Sequence, residues 1–153
     1  MNAEFLRRVR LFEALEVPEL AEILMIGLVK EYAKDDVIFE EASPGDSFYV
    51  IYDGAVRISK NFHQMGEEAL TILGAGEFFG EMSFFDDSPR SARAIAHENA
   101  KLLEVRNADL KSHLESRPQV ALKFLWAFSR TLSQRVRDTN EKFSTLFAIA
   151  RVF

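Results

Sequence analysis

Cysteine is absent from this sequence, and no apolar run approaches the ~18 residues that a bilayer span requires. The missing cysteines exclude disulfides, iron–sulfur clusters and thiol redox sensing. The N-terminus carries Glu4 early and has no apolar segment of the kind that a signal peptide contains. We therefore expect a cytoplasmic protein that does not associate with a membrane.

Basic residues are also fewer than acidic residues. Lys and Arg number 19 against 24 Asp and Glu, which gives a formal net charge of −5. Such a chain has no general attraction for nucleic acid or for an anionic membrane, so local groups must hold any anionic ligand. The three histidines, His63, His97 and His113, are isolated in the sequence. This spacing predicts neither a metal site nor a catalytic triad, so we expect no metal and no enzymatic activity.

The placement of glycine indicates how the chain is organised. Six of the seven glycines lie between Gly45 and Gly80, and none follows. Because glycine marks tight turns, the middle of the chain should be β-structure and the end helical. We predict one domain over residues 1–153, with N-terminal helices over 1–31, a β-roll over 32–106 and C-terminal helices over 107–153.

Short alternating segments in the middle of the chain resemble strands. Phe48, Val50 and Tyr52 alternate along one of them, and Asp53-Gly54 is a strong hairpin turn. Many short strands at close spacing predict the α+β class: a β-roll, that is a double-stranded jelly-roll-like barrel, with short N-terminal helices and a long C-terminal helix. Before the roll, apolar residues recur at helical spacing as far as Gly27 and Leu28, so the preceding helix is expected to include them.

The most informative stretch runs from Phe79 to Ala92. Gly80 allows close approach of the backbone to a ligand, and the residues after it can form one short helical turn. Arg90 follows Pro89 and leads into an apolar strand, where a free guanidinium would be costly to bury. A phosphate that accepts from two of the guanidinium nitrogens would remove that cost.

Glu81 is unexpected beside a phosphate site, because its carboxylate would repel the anion. Its position is explained if the ligand also offers hydroxyl donors, as a ribose does, so the pattern favours a nucleotide over inorganic phosphate. The simpler interpretation is a surface Glu and Arg that flank an acidic loop. Asp86 and Asp87 could form a carboxylate pair for acid/base catalysis, but a solvated turn explains them better.

The cassette over residues 79–92 resembles the phosphate-binding cassette of the cyclic-nucleotide-binding domain family, and Gly45–Gly54 resembles the second signature of that family. The resemblance implies a sensor whose ligand is cyclic AMP, with cyclic GMP as the alternative. It implies that Glu81 binds the ribose 2′-OH and that Arg90 binds the cyclic phosphate. The other ligand contacts that it implies in the cassette are Gly80, Met82, Ser91 and Ala92.

The C-terminal helix carries two apolar rows at alternating spacings of three and four, as a coiled-coil seam requires. This pattern predicts a homodimer. Over residues 122–128 the same face is expected to pack on its own roll, and beyond Arg135 against a second copy. One row consists of Leu122, Ser129, Val136, Phe143 and Ala150, and the other of Leu125, Leu132, Thr139, Leu146 and Phe153.

Polar residues near the middle of that helix are similar to the bacterial-regulator branch of the family, in which the dimer helix contacts the purine. The resemblance implies that Arg135 faces the ligand, that Thr139 accepts from the adenine amino group and that Asn140 reaches the ligand of the partner subunit. Thr139 could instead be a tolerated spacer or fix the register of the seam. Ser91 could contact either the phosphate or a guanine amino group, and cyclic dinucleotides remain open as ligands.

Regulators of that branch usually continue into a DNA-binding domain after the dimer helix, whereas this sequence ends at Phe153. We therefore expect a stand-alone sensor that signals to an unknown downstream protein and does not bind nucleic acid. Two alternatives stay open. The chain could be the sensor part of a DNA-binding transcription regulator, or a dimerisation module with a vestigial pocket.

Overall fold

The computed structural model describes residues 2–62 and 66–150, without the side chains of 149 and 150. These residues form eight strands and five α-helices. The predicted seam residue Phe153, the side chain of Ala150 and the isolated His63 lie outside this description. The elements in chain order are α1 (Ala3–Leu6), a 3-10 turn (Arg10–Phe12), α2 (Val17–Ile26), β1 (Gly27–Tyr32), β2 (Val37–Phe39), β3 (Ser47–Asp53), β4 (Val56–Phe62), β5 (Gly66–Leu73), β6 (Phe78–Phe79), α3 (Met82–Asp86), β7 (Arg93–Ala96), β8 (Ala100–Arg106), α4 (Asn107–Ser116) and α5 (Pro118–Ala150).

The strands form two antiparallel four-stranded sheets. Their orders are β1-β8-β3-β6 and β2-β7-β4-β5. Strand β3 is buried on both faces. Phe48 and Val50 belong to the cluster under the helices, whereas Tyr49 and Ile51 belong to the cluster between the sheets. Because side chains alternate across a strand, these two clusters show that the first sheet is covered on both sides. The predicted α+β class with a β-roll is confirmed.

The helices pack together on the outer face of the first sheet. The ring of Phe12 lies 6.5 Å from that of Phe48 and 6.1 Å from that of Phe124, measured between centroids. All three side chains are fully or almost fully buried, and each such burial stabilises the fold by about 1.5–3 kcal/mol. This packing joins the N-terminus to the first turns of α5.

The predicted boundary between the N-terminal helices and the roll is wrong. Helix α2 ends at Ile26, and β1 begins at Gly27 rather than near Tyr32. Strand β1 pairs with β8 from Gly27 opposite Val105 to Tyr32 opposite Ala100. The helical spacing of apolar residues continued past Gly27 by coincidence, and the hydrogen-bonding partner offered by β8 determined the structure instead.

Helix α5 contacts its own roll through a different face from the one expected. Val120, Phe124 and Phe128 are buried in the core cluster that the helices share with the first sheet, whereas Leu122 and Leu125 are 54% and 46% exposed. The expectation that the seam face packs on the roll over residues 122–128 is therefore wrong. The apolar row is exposed from its beginning, and it continues through Leu132, Val136, Phe143 and Leu146.

Among the described residues, no helix combines the length and the apolar character needed to cross a membrane.

Candidate functional site

A cavity of about 380 Å³ lies between the roll, α3 and α5. Its volume is within the usual range for small-molecule sites. Every residue that the sequence analysis assigned to the ligand lines it, except Asn140, which is exposed on α5. The lining residues are Phe39, Ile58, Leu70, Thr71, Leu73, Glu77, Phe79, Gly80, Glu81, Met82, Ser83, Arg90, Ser91, Ala92, Arg135, Asp138, Thr139 and Lys142.

Arg90 is the most deeply buried of the cations that line this cavity, and it is only 4% exposed. Its Nη1 donates to the carbonyl oxygen of Gly80 at 2.9 Å, and its Nη2 lies 3.9 Å from Oδ1 of Asp46. Its Nε is buried and has no hydrogen-bond partner among the described residues. Burial lowers the pKa of Arg90 from its ordinary value, and nearby acidic groups and Tyr49 oppose this. The guanidinium is therefore only partly satisfied by the protein.

Aromatic rings support the same guanidinium. Its central carbon lies 4.2 Å from the ring centroid of Phe39 and 5.9 Å from that of Tyr49. The Tyr49 ring in turn stacks on Phe79 at 5.2 Å. Cation–π contacts of this kind stabilise a desolvated cation without neutralising its charge. These rings therefore help the protein to keep the guanidinium of Arg90 buried.

Backbone contacts fix the position of Arg90. Its amide donates to the carbonyl oxygen of Ser43 at 2.9 Å, and the amide of Ala42 donates to the carbonyl oxygen of Arg90 at 2.8 Å. Gly80 has a φ of +78°, and a Cβ there would lie 2.8 Å from Nη1 of Arg90. A glycine is therefore required at this position both by the backbone conformation and by the space that the guanidinium occupies.

Glu81 and Arg135 form an ion pair across the cavity. Glu81 is buried, and one of its carboxylate oxygens accepts from Nη1 of Arg135. Burial raises the pKa of Glu81, while the charge of Arg135 acts in the opposite direction. Arg135 also donates to the carbonyl oxygen of Phe78 at 2.9 Å. The sequence analysis assigned both residues to the ligand but did not predict that they contact each other.

Thr139 presents an acceptor at the helical wall. Its Oγ1 donates to the backbone carbonyl oxygen of Arg135 at 2.8 Å. A hydroxyl has one proton to donate, so this oxygen is left to accept from a ligand. Asp138 and Lys142 line the same wall, and Asp138 accepts from Nε2 of Gln134 at 2.8 Å.

The remaining cassette residues lie on the roll side of the cavity. Ser91 is exposed, with its hydroxyl 3.7 Å from Sδ of Met82, whereas Ala92 is buried. Met82 is itself exposed at the edge of the cavity.

Several lining residues were not predicted, namely Phe39, Ile58, Leu70, Thr71, Leu73, Glu77, Phe79, Ser83, Asp138 and Lys142. The apolar members come from β2, β4, β5 and β6, and only the closure of the roll brings them together. Asp138 and Lys142 could have been found from the sequence, because they lie three and seven residues after Arg135 and so share its side of α5. The apolar members form walls of the cavity beside Arg90, Glu81 and Thr139.

The family model for the cyclic nucleotide-binding domain matches residues 29–117. This match covers more than half of the sequence, and the chain belongs to the cyclic nucleotide-binding domain family. The resemblance noted in the sequence is thereby confirmed, and the chain is a cyclic nucleotide-binding sensor domain.

Two curated relatives show which branch of the family the chain is similar to. It is 29% identical over 143 residues to a CRP-like cAMP-activated global transcriptional regulator of Mycobacterium tuberculosis, covering 94% of this chain and 62% of the relative. It is 32% identical over 130 residues to the cyclic AMP receptor protein of Thermus thermophilus, covering 85% of this chain and 58% of the relative. The chain therefore spans about three fifths of the length of these relatives.

A solved structure of a bacterial regulator domain is also similar to this chain. The N-terminal domain of a transcriptional regulator from Streptomyces coelicolor superposes with a TM-score of 0.77 at 36% identity, and the match covers 91% of this chain and 94% of that domain.

Proposed function

We propose that the cavity binds cyclic AMP and that the domain acts as a non-enzymatic sensor. The observation that carries this proposal is the buried guanidinium of Arg90, whose Nε has no partner among the described residues. A buried cation is costly unless an anion is nearby. The cyclic phosphate would supply that anion and would accept from the guanidinium.

The other groups in the cavity match the remaining parts of the ligand. The carboxylate of Glu81 can accept from the ribose 2′-OH while it stays paired with Arg135. The hydroxyl oxygen of Thr139 can accept from the exocyclic amino group of adenine, because its own proton is donated to the backbone. Both curated relatives are named for cyclic AMP, which favours adenine over guanine.

We also propose that two copies pair through α5. Its exposed apolar rows, from Leu122 to Leu146, follow the spacing of a two-stranded coiled coil. Burying them against a second copy would remove a continuous apolar stripe from water. In this arrangement Asn140 lies beside the seam, from where it would approach the ligand bound by the second copy.

The contacts between the cassette and α5 provide a route for a signal. The first is the ion pair of Glu81 with Arg135. The second is the ring of Phe85, which stacks on Phe128 with centroids 3.8 Å apart and planes 17° apart. A ligand that binds one arrangement of cassette and helix more tightly would shift the population towards it. We propose that a downstream protein responds to this change.

Isothermal titration calorimetry with cyclic AMP, cyclic GMP and cyclic dinucleotides tests the proposal. Arg90→Ala should weaken binding of cyclic AMP by at least about tenfold, because a hydrogen bond to a charged group contributes roughly 1.5–3 kcal/mol. Arg93→Ala is the matched control, since Arg93 pairs with Glu40 and Glu67 outside the cavity. It should keep the affinity of the unmodified protein. Circular dichroism confirms that both variants are folded.

Two results would contradict this proposal. One is a protein that binds none of these ligands at millimolar concentration. The other is an Arg90→Ala variant that binds cyclic AMP as tightly as the Arg93→Ala control.

A second proposal concerns the setting of the domain. One of the two curated relatives is named as a global transcriptional regulator, and this chain spans 62% of its length. The similar solved domain also comes from a transcriptional regulator, so the chain could be the sensor part of a DNA-binding regulator. Fluorescence anisotropy with the full-length gene product and duplex DNA tests this. Binding that strengthens on addition of cyclic AMP supports it, and no binding at low salt contradicts it.

A further inference from the structure

We infer that Phe147 of a second copy closes the cavity beside Lys142 and stacks on the base of the ligand. This inference rests on the proposed function and on pairing through α5. It adds an aromatic residue to the ligand site that lies on the other chain. The site of each copy would then be complete only in the dimer.

The heptad positions on α5 show which residues lie on each side of the seam. Arg135 and Lys142 each immediately precede a residue of the first apolar row, so they flank the seam on one side. Asn140 and Phe147 each follow a residue of the second row, so they flank it on the other side. In a parallel two-stranded coil, a residue on the first side of the seam lies opposite a residue on the second side of the partner helix, and that partner residue belongs to the following heptad. Lys142 therefore faces Phe147 of the second copy.

A parallel arrangement also suits the charges. In an antiparallel coil each flank faces the same flank of the partner, and pairing centred between Arg135 and Lys142 would place each of these cations opposite the other one of the second copy. Cations at such short separations repel each other. In the parallel arrangement they face Asn140 and Phe147, which carry no charge.

The cavity lies on the flank of α5 that would face the second copy. Arg135, Asp138, Thr139 and Lys142 all line it. Seven residues of helix separate the first of these from the last, which is about 10 Å along the axis. A partner residue opposite Lys142 therefore lies at the edge of the cavity and not beyond it.

Phe147 is well placed for this role. Its side chain is 63% exposed, and its only aromatic neighbour among the described residues is Phe143, with ring centroids 5.5 Å apart. A ring at the mouth of the cavity could stack on a purine, as aromatic side chains do on bases. It would also face the ammonium group of Lys142 in a cation–π contact.

Mixed dimers with two affinity tags test the inference. The first pairs an Arg90→Ala copy with a Phe147→Ala copy. The second pairs a copy that carries both substitutions with an unmodified copy. Each dimer has the same two substitutions and one cavity with Arg90. Only in the first does that cavity face an intact Phe147. We expect the first dimer to bind cyclic AMP about tenfold more tightly than the second, the size typical of a lost base–aromatic stack.

Equal affinities in the two dimers would overturn the inference, and so would tighter binding by the second dimer, which would place Phe147 in the cavity of its own chain. Phe147→Leu in both copies separates stacking from pairing: it should keep the dimer in sedimentation experiments but weaken binding about as much as Phe147→Ala does. If Phe147→Leu binds like the unmodified protein, stacking is excluded. If the unmodified protein binds no cyclic nucleotide, the proposed function is overturned as well. If it binds tightly but the two mixed dimers have equal affinities for cyclic AMP, only the aromatic contact is overturned.

Discussion

Replacing Arg135 by methionine should destabilise the protein without any ligand present. Glu81 is 4% exposed, and Arg135 is the cation that pairs with it. Removing one partner of a buried ion pair typically costs about 3–5 kcal/mol. The side chain of Arg135 is 40% exposed, so water can replace part of the lost interaction. We therefore expect the free energy of unfolding to fall by about 1.5–3 kcal/mol, which corresponds to a Tm roughly 4–10 °C lower.

The loss of unfolding free energy caused by Arg135→Met should grow as the pH rises. Burial raises the pKa of Glu81 above its ordinary value of 4.5, so the folded state holds this proton more tightly than the unfolded state. A group of this kind contributes stability that is fully present below pH 4.5 and is lost as the pH rises through the folded-state pKa. Without Arg135 that pKa rises further. The difference between the variant and the unmodified protein should therefore be larger at pH 7.5 than at pH 5.

Urea denaturation followed by circular dichroism measures this difference at both pH values. A single protein concentration is needed, because pairing through α5 would add to the apparent stability. Arg137→Met is the control, since Arg137 is exposed on the same helix. Equal losses for the two variants, or a loss at Arg135 that is the same at pH 5 and pH 7.5, would refute the reasoning.

Three further changes can be checked more briefly. Gly45→Ala should lower Tm by several degrees, because the new Cβ would lie 2.0 Å from Oγ of Ser83. Gly74→Ala is the control and should leave Tm unchanged, since a Cβ at that position would have no atom within 4 Å. Phe128→Ala removes a buried ring that stacks on α3 and should cost about 3–5 kcal/mol in a urea titration; a loss below 1 kcal/mol would contradict that packing. Thr139→Val should weaken cyclic AMP binding about tenfold in calorimetry while Tm stays the same, because a methyl group cannot accept a hydrogen bond.

The sequence predicted those parts of the site that depend on short spacing. Gly80, Glu81 and Arg90 lie within one cassette, and the structure places all three at one cavity. The turn after Gly80 forms as α3, and Pro118 opens the long helix as expected. In each case the residues that define the element are neighbours in the chain, so local backbone preferences were enough.

The sequence did not predict contacts made between distant segments. Phe39 lies under the guanidinium of Arg90 only because β2 pairs with β7, and Glu81 meets Arg135 only because α5 packs beside the cassette. The prediction of where α2 ends was wrong for the same reason. Apolar spacing around Gly27 fitted a helix, but β8 offered an unpaired edge, and the backbone hydrogen bonds that it could form outweighed a weak local preference.

The position of Arg135 links the ligand site to the dimer seam. This side chain holds the carboxylate of Glu81 on one side and the backbone of β6 on the other, and it lies on the flank of α5 that borders the proposed seam with a second copy. If the ribose 2′-OH donates a hydrogen bond to Glu81, the strength of the ion pair must change, since one carboxylate then accepts from two donors. A change at this pair acts directly on α5. Under the proposed function, the ion pair of Glu81 with Arg135 therefore couples occupancy of the cavity to the arrangement of the two helices.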